Sequence, residues 1–238
     1  MADSLIAIGT VAGIFLVGII LYYVITLLFT KKEEMDVIVK GVLPGNEDGS
    51  KYDQSPYTMK RIAGATEYSF SFWVYIDTFD GKDHVILKRD DAGMLNPDVT
   101  LSKEANTMVF KMSNSGGEVL KCEVPMVPLQ RWNCFTVNVL SNSINVYMNG
   151  RLYRSCTLYR NDGIAASGLP FSNVDAGLRV KPGTSFPGKI ATVFFRNRTM
   201  NASDIMAVYR AGPNAGSTGL LYQLFGIKEI RVVFEDTV

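Results

Sequence analysis

Residues 131–151 read RWNCFTVNVLSNSINVYMNGR, and their apolar side chains recur at every second position. Phe135, Val137 and Val139 alternate with Thr136 and Asn138. After Ser141-Asn142-Ser143, Ile144, Val146 and Met148 alternate with Asn145, Tyr147 and Asn149. A period of two sets one apolar row on one face of a strand. Two such rows joined by a short polar segment predict an antiparallel hairpin with one face buried. Asn149-Gly150 then supplies a further tight turn, since both residue types accept a positive φ.

The same pattern recurs along the chain. Tyr68, Phe70, Phe72, Val74 and Ile76 form one apolar row, and Trp73 and Tyr75 follow two serines on the opposite face, which predicts a central strand. Residues 84–88, 99–102, 107–112, 152–159 and 188–195 read as further strands, with a hairpin turn over 113–117. Residues 161–177 are rich in small residues and read as a loop. Residues 201–210 read as a helix with Asn201 as N-cap, Asp204 three residues on, Gly212-Pro213 as the stop, and Ile205, Val208 and Tyr209 on its inner face.

A tryptophan entering a strand, a hairpin and then Tyr147-x-Asn149-Gly150 resembles the central hairpin of laminin-G-like, concanavalin A-like jelly rolls. Residues 68–77, with Trp73, are similar to that family's early core strand, and residues 124–132, ending in Trp132, to the loop leading into the hairpin. Residues 186–212, with Gly188 before the strand and Gly212 after the helix, are similar to its closing strand and helix. The resemblance implies an all-β antiparallel β-sandwich with one short helix, in which both tryptophans are core or near-core. The fold hosts lectins, glycosidases and adhesion modules alike, so it does not by itself imply an activity.

Ahead of this lies an uncharged run that opens at Leu5 and closes at Phe29. As a helix it is about 37 Å long, enough for a hydrocarbon core of about 30 Å. It lacks the basic start and small-residue exit of a cleaved leader, so it reads as a retained single-pass transmembrane α-helix. Gly9 and Gly13 have the spacing that lets two membrane helices approach. Lys31 and Lys32 follow the span and no Lys or Arg precedes it, so the N-terminus is expected to translocate and the sandwich to stay cytosolic. The organisation is then an anchor over 1–35, a juxtamembrane segment and linker over 36–56 (with a short strand at 36–43), the sandwich over 57–212 and a tail over 213–238. In the tail Ile230, Val232 and Phe234 share one face of a further strand, expected to pair with residues 36–43, with docking of the tail onto a partner as the alternative.

Charge and composition exclude more than they assign. Lys+Arg 24 against Asp+Glu 23 leaves a net charge of +1, which with no basic-aromatic stripe excludes a nucleic-acid partner. Cys122, Cys134 and Cys156 are an odd set without metal spacing and read as three reduced thiols, with one disulfide pair as the alternative and Cys134 on the polar side of the first hairpin strand or at its start. Hydrolysis of glycans needs paired carboxylates, and the one pair at alternate positions is Glu34 with Asp36, outside the sandwich. His84 is the only histidine and has no nucleophile motif near it. No cofactor is expected; calcium is the one candidate metal, on Asp77, Asp80 and Asp83 or on Asp90, Asp91 and Asp98.

The reading is a non-enzymatic, membrane-anchored interaction protein whose partners are the lipid bilayer and protein neighbours. A glycan-binding lectin-like module is the alternative, and a glycoside hydrolase a distant one. In layout it resembles small single-span proteins of large DNA viruses with an internal membrane under the capsid, which implies a minor capsid or virion membrane component.

Overall fold

The computed structural model describes residue 13 and residues 16–22, 35–47, 49, 67–91, 94–114, 116–157, 179–180 and 186–215. The chain divides into two units, Met1–Glu33 and Glu34–Val238. In the first, residues 13 and 16–22 are helical and exposed. Among the described residues no helix is long and apolar enough to cross a membrane. Leu5, Gly9, Phe29, Lys31 and Lys32, the loop at 161–177 and the strand at 230–234 lie outside the described residues.

The second unit is a sandwich of two antiparallel sheets. One holds six strands in the order β1 (Met35–Pro44), β11 (Gly188–Arg196), β2 (Tyr68–Ile76), β7 (Trp132–Val139), β8 (Ser143–Met148) and β9 (Arg151–Thr157). The other holds β10 (Arg179–Val180), β3 (His84–Asp91), β4 (Met94–Leu101), β5 (Met108–Ser113) and β6 (Val119–Val124). The alternating rows face each other between the sheets. Phe70 stacks on Phe195 at 5.1 Å and Phe72 on Phe135 at 5.5 Å, while Phe110 reaches Phe135 from the opposite sheet at 5.8 Å. The β5–β6 turn is fixed by Asn114, whose Oδ1 accepts from the backbone N–H groups of Gly116 and Glu118.

The six-stranded sheet has a second buried layer on its other face. There α1 (Ala202–Ala211) covers Trp73, Cys134, Ala191 and Phe194 with Ile205 and Val208. Asn201 caps the helix by accepting from the Asp204 N–H at 2.9 Å. A bulge makes both layers possible: β11 breaks register between Ala191 and Phe194, and Thr192 takes a φ of 46°. That conformation is costly for a β-branched residue. The extra residue lets Ile190, Val193 and Phe195 enter the main core while Ala191 and Phe194 face the helix. The Thr192 hydroxyl donates to the Pro213 carbonyl at 2.7 Å and ties the bulge to the chain leaving α1.

Three sequence expectations are corrected here. The hairpin's polar row is not a solvent face: Asn138 bonds the Met200 backbone, and Cys134 is buried beneath the helix. The sandwich does not begin at residue 57, because β1 pairs with β11 from Met35 opposite Arg196 to Pro44 opposite Lys189. Ile38, Val39 and Leu43 bury in the main core, which is why a segment read as juxtamembrane belongs to the sheet. The cysteines are not three reduced thiols: Cys122 and Cys156 form a disulfide with Cα atoms 5.8 Å apart. It joins β6, at one edge of the five-stranded sheet, to β9, at one edge of the six-stranded sheet. Burial pushes the remaining thiol, Cys134, up to about 12, so it is not a nucleophile at neutral pH.

Candidate functional site

The family-motif residues gather around α1. Trp73 is buried and stacks on Tyr209 at 5.8 Å, with Tyr147 packed into the same layer. Asn149, at φ 52°, accepts from the Cys134 N–H through its side chain and donates to the Cys134 carbonyl through its backbone, both at 2.8 Å. Gly150 follows at φ 80°, and a Cβ there would lie 3.2 Å from the end of the Met206 side chain. Gly212 caps the helix at φ 80°, donating to the Tyr209 carbonyl. Trp132, half-buried, meets Tyr75 edge-on at 5.5 Å. Gly188 serves pairing: a Cβ there would lie 2.0 Å from the Tyr75 carbonyl oxygen. The motif therefore builds the helix platform and the strand pairing beside it.

The surface with binding chemistry is the outer face of the five-stranded sheet. Val99, Leu101, Met108, Phe110, Leu120 and Cys122 point inward, so Asp98, Thr100, Val109, Lys111 and Lys121 point outward. They line a groove of about 360 Å³ with Val85 at the floor and Asp83, Ser102, Lys103 and Glu104 toward one end. In register, Asp98 lies opposite Lys88 on β3 and Lys111 on β5, and Lys111 lies opposite Lys121 on β6. Asp98 is only 8% exposed. Its Oδ1 accepts from the Thr100 hydroxyl at 2.8 Å, and among the described residues it has no other hydrogen bond or ion pair. Lys121 pairs with Glu123 at 2.6 Å, and the Glu123 carboxylate raises it above the usual lysine range. None of the lining side chains is aromatic.

The calcium candidates separate. Asp83 accepts from the Lys103 N–H at 2.7 Å, and Asp80 accepts from His84 Nε2 at 2.9 Å and from the Lys82 N–H at 3.1 Å. Asp98 points into the groove; the side chains of Asp90 and Asp91 lie outside the described residues. Among the described residues no three His, Cys, Asp or Glu side chains gather closely enough to hold a metal. Asp80 is held below the usual carboxylate range, first by the His84 hydrogen bond and then by the Lys82 N–H. A lowered carboxyl stabilises the fold above its unfolded value near pH 4 and loses that contribution as pH falls through the folded value. Asp80→Asn should therefore lower stability slightly at neutral pH and flatten the acid limb, so that the two chains converge as pH falls below about 4, read by denaturant unfolding across pH.

Two sheets around one core, with a helix on one outer face and an open polar groove on the other, define a jelly-roll sandwich. The chain belongs to the concanavalin A-like lectin/glucanases superfamily, whose model matches residues 48–206. Among solved structures, it is similar to the receptor-binding domain of botulinum neurotoxin mosaic serotype C/D, at 13% identity and a TM-score of 0.51, over 76% of this chain and 47% of that one. A second structure of the C/D mosaic receptor-binding domain matches at 12% identity and 0.51, over 75% and 46%. The binding domain of botulinum neurotoxin DC in complex with rat synaptotagmin II matches at 13% and 0.49, over 75% and 46%. The chain spans about half the length of these structures. At such identities the likeness is one of fold. No curated protein matches the chain significantly.

Proposed function

We propose that this chain is a non-enzymatic docking module, tethered to a membrane by residues 5–29, whose sandwich binds a protein neighbour. The observation that carries the reading is the lining of the groove. Charges of both signs stand over two valines, with no aromatic ring on which a sugar could stack. The in-register neighbours of Asp98 are lysines, not the second carboxylate that glycoside hydrolysis requires. Mixed charge on an open sheet face suits the polar rim and register-setting role of protein interfaces.

Lys31 and Lys32 set the orientation, with the sandwich on the cytosolic side. The cysteines argue against it, since a disulfide needs oxidising surroundings. Both hold if the bridge forms on an assembled particle, which agrees with the layout reading of a virion membrane component. Glycans on Asn197 or Asn201 of the expressed chain would reverse the orientation.

The docking reading is tested by purifying the full chain in detergent from its native source. A stoichiometric protein partner, or copurification with a particle, supports it. New reducing ends released from a panel of β-glucans, abolished by Asp98→Asn, would replace it with an enzyme.

A further inference from the structure

Of the long edge strands, β9 is rooted least in the sandwich. β1 buries Ile38, Val39 and Leu43 in the main core, and β6 buries Leu120, Cys122 and Val124, whereas Cys156 is the one β9 side chain packed against a core. Leu152 and Tyr153 are 57% and 43% exposed. The ladder to β8 is interrupted as well: Val146 faces Arg154 and Tyr147 faces Leu152, so Tyr153 is the extra residue of a bulge. Beyond its contacts with β8, β9 is held by the exposed hydrogen bonds of Arg154 and Tyr153 to the Glu123 and Pro125 carbonyls, and by the Cys122–Cys156 bridge. A strand with so few buried apolar contacts opens at low cost. The covalent bond is what keeps it closed.

The two sulfurs of that bond differ in reach. Cys122 is fully buried, while Cys156 is half-buried on an exposed edge. Exchange requires a thiolate to reach a sulfur, so Cys156 is the point of entry for an outside thiol. Cys134 lies in the other core layer, under α1, and is no competitor. The lysines after the uncharged run favour the reducing cytosol and the bridge favours oxidising surroundings. A bridge that opens in one and closes in the other accommodates both.

We propose that the Cys122–Cys156 bridge is a reversible redox latch on β9, opened by a dithiol reductant. One thiolate of the dithiol attacks Cys156 Sγ, the S–S bond breaks, and Cys122 leaves as a thiolate that takes up a proton. The second sulfur of the dithiol then attacks the mixed disulfide; Cys156 leaves and is protonated in turn, and the dithiol becomes a disulfide. Two electrons pass from the dithiol to the bridge. β9 is released while the rest of the sandwich stays folded, and β8 becomes an open edge. The latch goes beyond the docking function and stands whatever the partner is.

Hydrogen exchange of the full chain in detergent micelles, read by mass spectrometry with dithiothreitol as the dithiol, tests it. In the oxidised chain the β9 amides bonded to β8 should exchange within about tenfold of the β7 amides; after reduction they should run roughly a hundredfold faster than β7, because local release then costs less than global unfolding. Oxidised glutathione should restore their protection. Cys122→Ala with Cys156→Ala should show the fast β9 amides with or without reductant. Reduced β9 amides that exchange in step with β7 would make the bridge a staple of the whole domain and overturn the latch. So would β9 amides already fast in the oxidised chain, a bridge that dithiothreitol opens only in denaturant, or protection that oxidised glutathione fails to restore.

Discussion

Reducing the Cys122–Cys156 bridge should lower the stability of the sandwich by about 4 kcal/mol, the chain-entropy value for a loop of this size. The bridge closes a sequence separation of 34 and ties the outermost strand of one sheet to the outermost strand of the other. β9 needs the tie. Residues 151–155 are exposed, and beyond its ladder with β8 the strand holds the neighbouring chain by exposed hydrogen bonds, the Arg154 guanidinium donating to the Glu123 carbonyl and the Tyr153 hydroxyl donating to the Pro125 carbonyl. Against a total of about 5–15 kcal/mol for a domain, 4 kcal/mol is a large share. Thermal unfolding of the full chain with and without reductant reads it directly, as a fall of roughly 10 °C at this size. The paired variant Cys122→Ala, Cys156→Ala should melt near the reduced chain and ignore reductant. A natural chain that melts alike in both conditions would mean that packing alone holds the two edges together.

The bridge also marks where the sequence ceases to be readable. Period-two rows expose which residues face the core within one strand, so β2, β7 and β8 are legible, as are the Asn201 cap and the Gly212 stop. Pairing between sheets is not a local property. Cys122 and Cys156 lie on strands that never share a ladder, and only the closure of the sandwich brings them together. β1 is legible as a strand, but its place in the sandwich is hidden for a related reason: the chain from 45 to 67 separates it from the strands it accompanies, and its bulges break the clean alternation. The helix face misleads in a different way. Ser71, Cys134, Thr136 and Asn138 look solvated by composition, yet they are buried because polar groups can satisfy one another there, as the Ser71 hydroxyl does with the Phe135 carbonyl at 2.8 Å. The groove had a partial signal. Asp98, Thr100, Val109, Lys111 and Lys121 sit at alternate positions of their strands, but their alignment in one row depends on register, which the turns set and composition does not.

Neutralising Asp204 should cost about 3 kcal/mol or more, as expected when one partner of a buried ion pair is removed. Arg196 ends β11 with its side chain 1% exposed, and its Nη1 donates to Asp204 Oδ2 at 2.9 Å. Asp204 itself is 14% exposed and stands in the first turn of α1, where a negative charge also favours the helix. The pair thus joins the bulged strand to the start of the helix that seals the second core. Asp204→Ala would take this carboxylate away from a buried guanidinium, and the cheapest relief is for α1 to lift and admit water. That would uncover Trp73 and Phe194, which are held under the helix. The loss should therefore appear as lowered stability together with a shift in tryptophan fluorescence. Removing both charges separates the cost of the lost carboxylate from the worth of the pair. Arg196→Met with Asp204→Ala replaces the ion pair by apolar volume, and such replacements are often neutral or stabilising. The double variant should recover most of what Asp204→Ala loses, and 1 M salt should change the single-variant cost little, since a buried pair is weakly screened. An Asp204→Ala chain within 0.5 kcal/mol of the natural one would mean that Arg196 is carried by its other contacts, and that α1 stays on the sheet through Ile205, Val208 and Tyr209 alone.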